Sequence, residues 1–352
     1  MYRIALLLVL FAALLPGGGC RKTPQTSGLP RLFVVGNEIR DENNNQIVFY
    51  GVNAIDPAWL SLYYRHWEAA YFQKMKDWGV KIVRIPVHYP AYRWFEEKEK
   101  GSYIRLLRQG IEWAANEGIY TVIDFHAIGY PPSGECQQTR WEDPNWGQIY
   151  QFTPQELCDF WTTISKEFAN DSRIAFYDLF NEPAKELPGG QNTTLEAWLD
   201  WRNMAESLID LIRENDPQRL VLVGGLQFSY DLRYVKDYPV RRPGVVYSVH
   251  IYPWTLLPGE WHAVWDTAFG NLAFYVPILV TETGFEPNAT EDAMRGTPED
   301  FGIPLIDGYL KPRNIGWLAW NFGPEWPPCL VSDWDYTPTI SGSFFRERML
   351  AH

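Results

Sequence analysis

Eight short apolar runs, each followed by a stretch of helical spacing, constrain this chain more than any other feature. One ends at Gly51-Val52-Asn53; the others cover 80–87, 119–126, 174–183, 220–223, 245–252, 277–282 and 315–320. Their lengths suit buried strands. The segments between them carry amphipathic periodicity, a helix start at Thr153-Pro154-Gln155-Glu156 and glycine stops at Gly79 and Gly118. Strand–helix alternation without a break in composition predicts α/β architecture: a single closed (β/α)8 TIM barrel. A short N-terminal β-hairpin is expected before it, running out through 32–40, turning at 41–45 and returning through 46–49. A helix is expected over 63–78. An open doubly wound sheet is the alternative, but it would normally carry a Gly-rich nucleotide turn, and none is present.

The amino terminus reads as a targeting segment. Arg3 precedes an apolar run over 4–15 that is short for a membrane span, and Pro16-Gly17-Gly18-Gly19-Cys20 follows with small residues where a signal peptidase cuts. Cys20 after Gly18-Gly19 resembles a bacterial lipobox, with Gly17 departing from the usual Leu. Residues 1–20 are therefore expected to be a lipoprotein-type signal peptide, 21–30 a flexible tether and 31–352 one catalytic domain. The expected location is outside the cytoplasm, either anchored to a membrane through a lipidated Cys20 or secreted. Cys136, Cys158 and Cys329 remain, and Cys136 with Cys158 is the expected disulfide, since both flank one long loop over 127–152.

A net charge of −12 argues against nucleic acid, which needs clustered Lys and Arg. Aromatic residues make up 16% of the chain, enough both to fill a core and to line a groove for the apolar faces of sugar rings. No Cys/His cluster has zinc spacing, so neither metal nor cofactor is expected.

Chemistry collects at the carboxyl ends of the strands, where barrels of this type hold their active sites. Those ends carry Asn53, Arg84, His126, Asn181-Glu182, His250 with Tyr252, Glu282 and Trp320. Two carboxylates facing each other across a barrel mouth can cleave a glycosidic bond, one as proton donor and the other as nucleophile. In register, Arg84-Ile85-Pro86, Asp124-Phe125-His126, Asn181-Glu182-Pro183, His250-Ile251-Tyr252, Thr281-Glu282-Thr283-Gly284 and Trp320 resemble the signature of glycoside hydrolase family 5, over roughly residues 31–321.

The resemblance implies a retaining, endo-acting β-1,4-glycanase without a cofactor. Glu182 is implied as acid/base and Glu282 as nucleophile, with carboxyls about 5–5.5 Å apart. Arg84, His126, Asn181, His250, Tyr252 and Trp320 are implied around the substrate: Asn181 on the hydroxyl beside the reacting carbon, Tyr252 on the nucleophile, Trp320 as stacking floor. A structural ion pair is the alternative for Arg84, and a satisfied core histidine for His126. His88 is a candidate wall residue. Trp59, Trp141, Trp146, Trp254 and Trp326 fall in loops on the same side. The expected partner is a polysaccharide and the expected state a monomer. Cellulose-like β-glucan is the leading substrate, with mannan and xyloglucan as alternatives; a non-catalytic glycan-binding lipoprotein and a metal-dependent barrel hydrolase are the other classes.

Overall fold

The apolar runs pair in the order that closes a cylinder. In the computed structural model, which describes residues 28–185, 193–253, 261–290 and 292–352, the hairpin comes first, as Leu32–Val35 (β1) and Glu38–Asp41 (β2). The leader, Cys20 and Trp254 lie outside the described residues. Parallel strands β3 (Tyr50–Asn53), β4 (Ile82–Val87) and β5 (Tyr120–Phe125) follow. A small three-stranded sheet contains β6 (Ile128–Tyr130), β7 (Glu135–Cys136) and β9 (Glu182–Pro183), and β8 (Ile174–Asp178) returns to the barrel. Then come β10 (Leu220–Gly224), β11 (Val245–Ile251), β12 (Ile278–Thr283) and β13 (Gly316–Ala319). Pairing of β13 with β3 and of β8 with β10 closes the barrel.

Period-two alternation divides each strand between two cores. Ile82, Tyr120, Val122, Phe176, Leu222, Val246, Leu279 and Leu318 point inward and fill the lower barrel, where Leu32 and Ile39 of the hairpin cover them. The outward residues, among them Val83, Ile123, Val221 and Val280, pack against the helices. Two residues above the inward apolar layer, the same faces carry Arg84, Asp124, Asp178 and Ser248. Hydrophobic below and polar above, the barrel presents its chemistry at one end.

Several elements differ from expectation. The hairpin turns at Gly36-Asn37, because Gly36 takes φ +63° without a Cβ penalty. The Asp41 segment makes its own turn, the carboxylate accepting from the N–H groups of Asn43 and Asn45. The helix expected over 63–78 covers only Ala69–Asp77; Arg65, left-handed at φ 60°, ends a separate wide turn over Leu60–Tyr64. The expected fourth strand stops at Asp178. The chain then leaves β10 after Leu179 N–H donates to Leu222, and Asn181 and Glu182 N–H donate instead to Phe125 and Ala127. Glu182 thus stands on β9, alongside Ile128 of β6. Cys136 and Cys158 are free thiols rather than a disulfide: Cys136 lies on β7 with its sulfur accepting from Gln138, and Cys158 lies in the helix Pro154–Glu167. Among the described residues no helix is long and apolar enough to cross a membrane.

Candidate active site

Arg84 is the hub of the barrel mouth. Fully buried, it donates from Nε to Asp178 (2.9 Å), from Nη1 to Glu282 (2.7 Å) and Asn53 (3.1 Å), and from Nη2 to Asn181 (2.8 Å), with Asp124 3.0 Å from Nη2. Asn53 is turned toward it by its own Nδ2, which donates to the Thr281 carbonyl at 2.9 Å. A guanidinium satisfies so many planar acceptors because its donors are fixed in a fork.

Glu282 reaches this hub through a β-bulge. On β12, Leu279 faces inward, Val280 outward and Thr281 inward, where its hydroxyl meets that of Ser248. Simple alternation would send Glu282 to the helix side. Instead the register slips on both flanks: Val249 pairs with Val280 but His250 pairs with Glu282, and Trp317 pairs with Val280 but Ala319 with Thr283. The extra residue turns Glu282 back into the mouth, as bulges beside active sites do.

The two glutamates occupy different electrostatic settings. One oxygen from each, together with a ring nitrogen of His250, lies in a group whose members are all within 4.8 Å of one another. Glu282 also accepts from the Tyr252 hydroxyl at 2.9 Å. Burial pushes its carboxyl up to about 7, while Arg84 and Tyr252 pull it down. Glu182 is raised well above the usual carboxylate range by burial and then by the charge of Glu282. Burial also lifts Asp124 to about 7 and Asp178 to about 8. One guanidinium cannot hold four clustered carboxylates ionised. Glu182 is the one of the four that Arg84 does not touch, so the proton stays there.

The histidines are held neutral. His126 and His250 are both lowered well below the ordinary imidazole value, chiefly by burial. His126 Nδ1 sits 2.6 Å from Asp124, and its ring lies parallel to that of Trp320 at 5.4 Å. His250 Nδ1 is 2.9 Å from Glu182 and 3.5 Å from Glu282. Glu182, His250 and Glu282 are also a set that could ligate a cation, but any ion there would face the fixed charge of Arg84 at Glu282.

Above them opens a cleft of about 1010 Å³. Its walls include Trp59, Trp141, Trp320, Trp326, Tyr150 and Met294, and its floor His126, Asn181, Glu182, Tyr252 and Glu282. Of the sequence-predicted residues, Arg84 and His250 lie beneath the floor, Arg84 touching Glu282 and His250 both glutamates from below. Trp146 is buried behind Trp59, ring centroids 4.8 Å apart. His88 is not on the wall either. It is fully buried, its N–H donating to Asp56 at 2.8 Å and its ring 4.7 Å from that of His126; Asp56 also accepts from Tyr103 at 2.8 Å. Sequence reasoning missed Asp178, Asp56 and Tyr150. For Asp178 the signal was available: it continues the inward series of its strand two residues above Phe176.

The family description "Cellulase (glycosyl hydrolase family 5)" matches residues 40–325 of the chain. The chain belongs to this family. Among solved structures, family 5 resemblance includes a β-glucanase from Saccharophagus degradans, 30% identical, covering 92% of this chain and 93% of that one with a TM-score of 0.82; the same β-glucanase is also known with cellotetraose bound. Among sequence relatives are Endoglucanase A of Evansella cellulosilytica, 28% identical over 70% of this chain and 43% of the relative, and an endoglucanase of Clostridium saccharobutylicum, 24% identical over 91% and 63%. The chain thus spans 43% and 63% of the length of these relatives. The matched residues span the barrel strands from β3 to β13 and include both glutamates.

Proposed function

We propose that the chain hydrolyses internal β-1,4 linkages of a β-glucan by double displacement. The carrying observation is the pair Glu182 and Glu282, with oxygens within 4.8 Å and only Glu282 bonded to Arg84 and Tyr252. That spacing suits a retaining mechanism, since inverting enzymes leave room for a water between carboxyls about 6.5–9.5 Å apart. Glu282 attacks the anomeric carbon as Glu182 gives its proton to the departing oxygen. A glycosyl ester on Glu282 results. Glu182, now ionised, takes a proton from water, which displaces the ester and restores the β configuration. Asn181, its Oδ1 held by Arg84, offers Nδ2 to the neighbouring sugar hydroxyl, and Trp320 stacks beneath the ring.

A glucan is favoured by the endoglucanases and the β-glucanase among the relatives. Turnover of carboxymethyl cellulose, glucomannan, xyloglucan and laminarin ranks the substrates, and the first product seen by NMR reports the stereochemistry. A β-anomer and a rapid fall in viscosity are expected. An α-anomer appearing first overturns double displacement. Activity is expected to persist in the presence of a chelator, and its loss would favour metal-assisted hydrolysis at Glu182, His250 and Glu282.

The profile of kcat/KM against pH is expected to be bell-shaped. Activity falls on the acid side as Glu282 gains a proton and on the alkaline side as Glu182 loses one, the two apparent values belonging to the pair. A profile with no alkaline limb would remove Glu182 from the role of acid. Trp141 is half-exposed on the cleft wall and well away from the glutamates along the chain. Trp141→Ala is expected to raise KM roughly threefold to tenfold with kcat little changed, the size of one lost ring stack; a fall in kcat alone would refute a binding role.

Residues 31–352 are proposed as the monomeric catalytic domain, with residues 1–20 as an export leader and 21–30 as a tether. Mass spectrometry of the mature protein tests the leader: a diacylglyceryl group on Cys20 supports anchoring, and an unmodified start supports secretion.

A further inference from the structure

Three consecutive non-glycine residues just beyond β10 have left-handed backbones: Gln227 (φ 58°), Phe228 (φ 58°) and Ser229 (φ 60°). L residues rarely adopt this conformation singly, and a run of them persists only where the surroundings impose it. Here they do. Gly225 and Ser229 form a β-bridge, Leu226 N–H donates to Asp231 at 3.1 Å, and Asp231 N–H donates back at 2.9 Å. A Cβ on Gly224 would overlap the Ser229 hydroxyl, and one on Gly225 would lie 2.6 Å from the Asp231 carbonyl oxygen. Two glycines therefore make room for the turn.

The turn delivers one group. Ser229, fully buried, donates from Oγ to the main-chain carbonyl of Asn181 at 2.6 Å. That carbonyl belongs to the peptide joining Asn181 to Glu182, whose N–H donates to Ala127 at 3.1 Å. The peptide is thus clamped at both ends, on one side by the extension of β5 and on the other by a single hydroxyl. Barrel pairing cannot supply the second clamp, because the chain has left β10 after Leu179.

We propose that Ser229 is a positioning residue for Glu182, fixing the Asn181–Glu182 peptide plane so that the carboxyl aims at the departing oxygen. The proposal rests on the reading of Glu182 as acid/base. Proton donation matters in proportion to how poor the leaving group is, which provides the readout.

The experiment compares Ser229→Ala, Ser229→Gly and Glu182→Gln on a soluble β-glucan and on a 2,4-dinitrophenyl β-cello-oligosaccharide, whose leaving group needs no proton. Glycine accepts φ 60° without strain, so Ser229→Gly removes the hydroxyl while easing the backbone, and its Tm should not fall below that of Ser229→Ala. Both Ser229 variants should lose roughly tenfold in kcat/KM on the glucan, short of the ~100-fold a 1 Å misplacement can cost, and distinctly less on the activated glycoside. Equal losses on the two substrates, or no loss on the glucan, overturn the clamp. If Glu182→Gln itself shows equal losses, the acid reading fails and the clamp with it. If Glu182→Gln discriminates between substrates and the Ser229 variants do not, the clamp alone is wrong.

Discussion

Glu282→Gln is expected to lose roughly 10⁴-fold or more in kcat on β-glucan, since the proposed mechanism forms its covalent intermediate on the Glu282 carboxylate. The amide nearly preserves shape, so folding should be spared. Its one oxygen can still accept from Arg84, 2.7 Å from Oε1 of the carboxylate, and its NH2 in place of Oε2 can donate to the Tyr252 hydroxyl oxygen 2.9 Å away. What it loses is the negative charge that attacks the anomeric carbon. The loss should be the same for good and poor leaving groups, and affinity for cello-oligosaccharides measured by calorimetry should remain. Retained turnover within tenfold of wild type would remove Glu282 from the role of nucleophile.

Glu182→Gln should lose about 10²–10⁴-fold on the glucan, the usual worth of general acid catalysis. On an activated aryl glycoside the first step should survive, because the departing phenolate needs no proton. The second step still lacks its base. Azide, which needs none, should restore turnover of the activated substrate in Glu182→Ala and yield a β-glycosyl azide. The pH profile should change in a defined direction. Glu182 still holds its proton where Glu282 titrates and adds no charge there, so its loss should leave the acid limb nearly in place while the alkaline limb disappears. An alkaline limb that survives the substitution would contradict the assignment of that limb to Glu182.

The geometry also explains why Arg84 lies in the core. Left alone, Asp124, Asp178 and Glu282 would be buried acids with no counter-charge, which is costly. Arg84 bonds to all three from a fully buried position and makes no such bond to Glu182. The same side chain therefore pulls Glu282 down through a direct bond, while its pull on Glu182 acts only through space and burial with the charge of Glu282 holds that carboxyl up. His250, touching both glutamates from below, stays neutral by burial and adds no charge that would blur this difference.

Much of this protein was written locally along the chain. Strands buried on both faces are largely apolar, so the runs at 80–87 and 119–126 announce themselves, and the polar residues in their second halves, Arg84 in one and Asp124 with His126 in the other, mark the barrel mouth. Glu182 before Pro183 and Glu282 within Thr281-Glu282-Thr283 were visible for that reason. Other features depend on where distant backbones put their side chains. Arg84 finds Asp178 across 94 residues and Glu282 across 198, and Asn53 finds Thr281 across 228. Whether Glu282 faces the mouth or the helices turns on one extra residue in β12, and a parity change of one residue leaves no mark in composition or periodicity. Likewise, a serine among ordinary residues at 226–230 gave no sign of its left-handed turn, closed by backbone pairing within 225–231, or of the Asn181 carbonyl it holds, which only the tertiary fold brings to it. The residue types and their order determined a barrel with two glutamates at its mouth; their aim, and which of them keeps the proton, came from tertiary contacts between residues far apart in the chain.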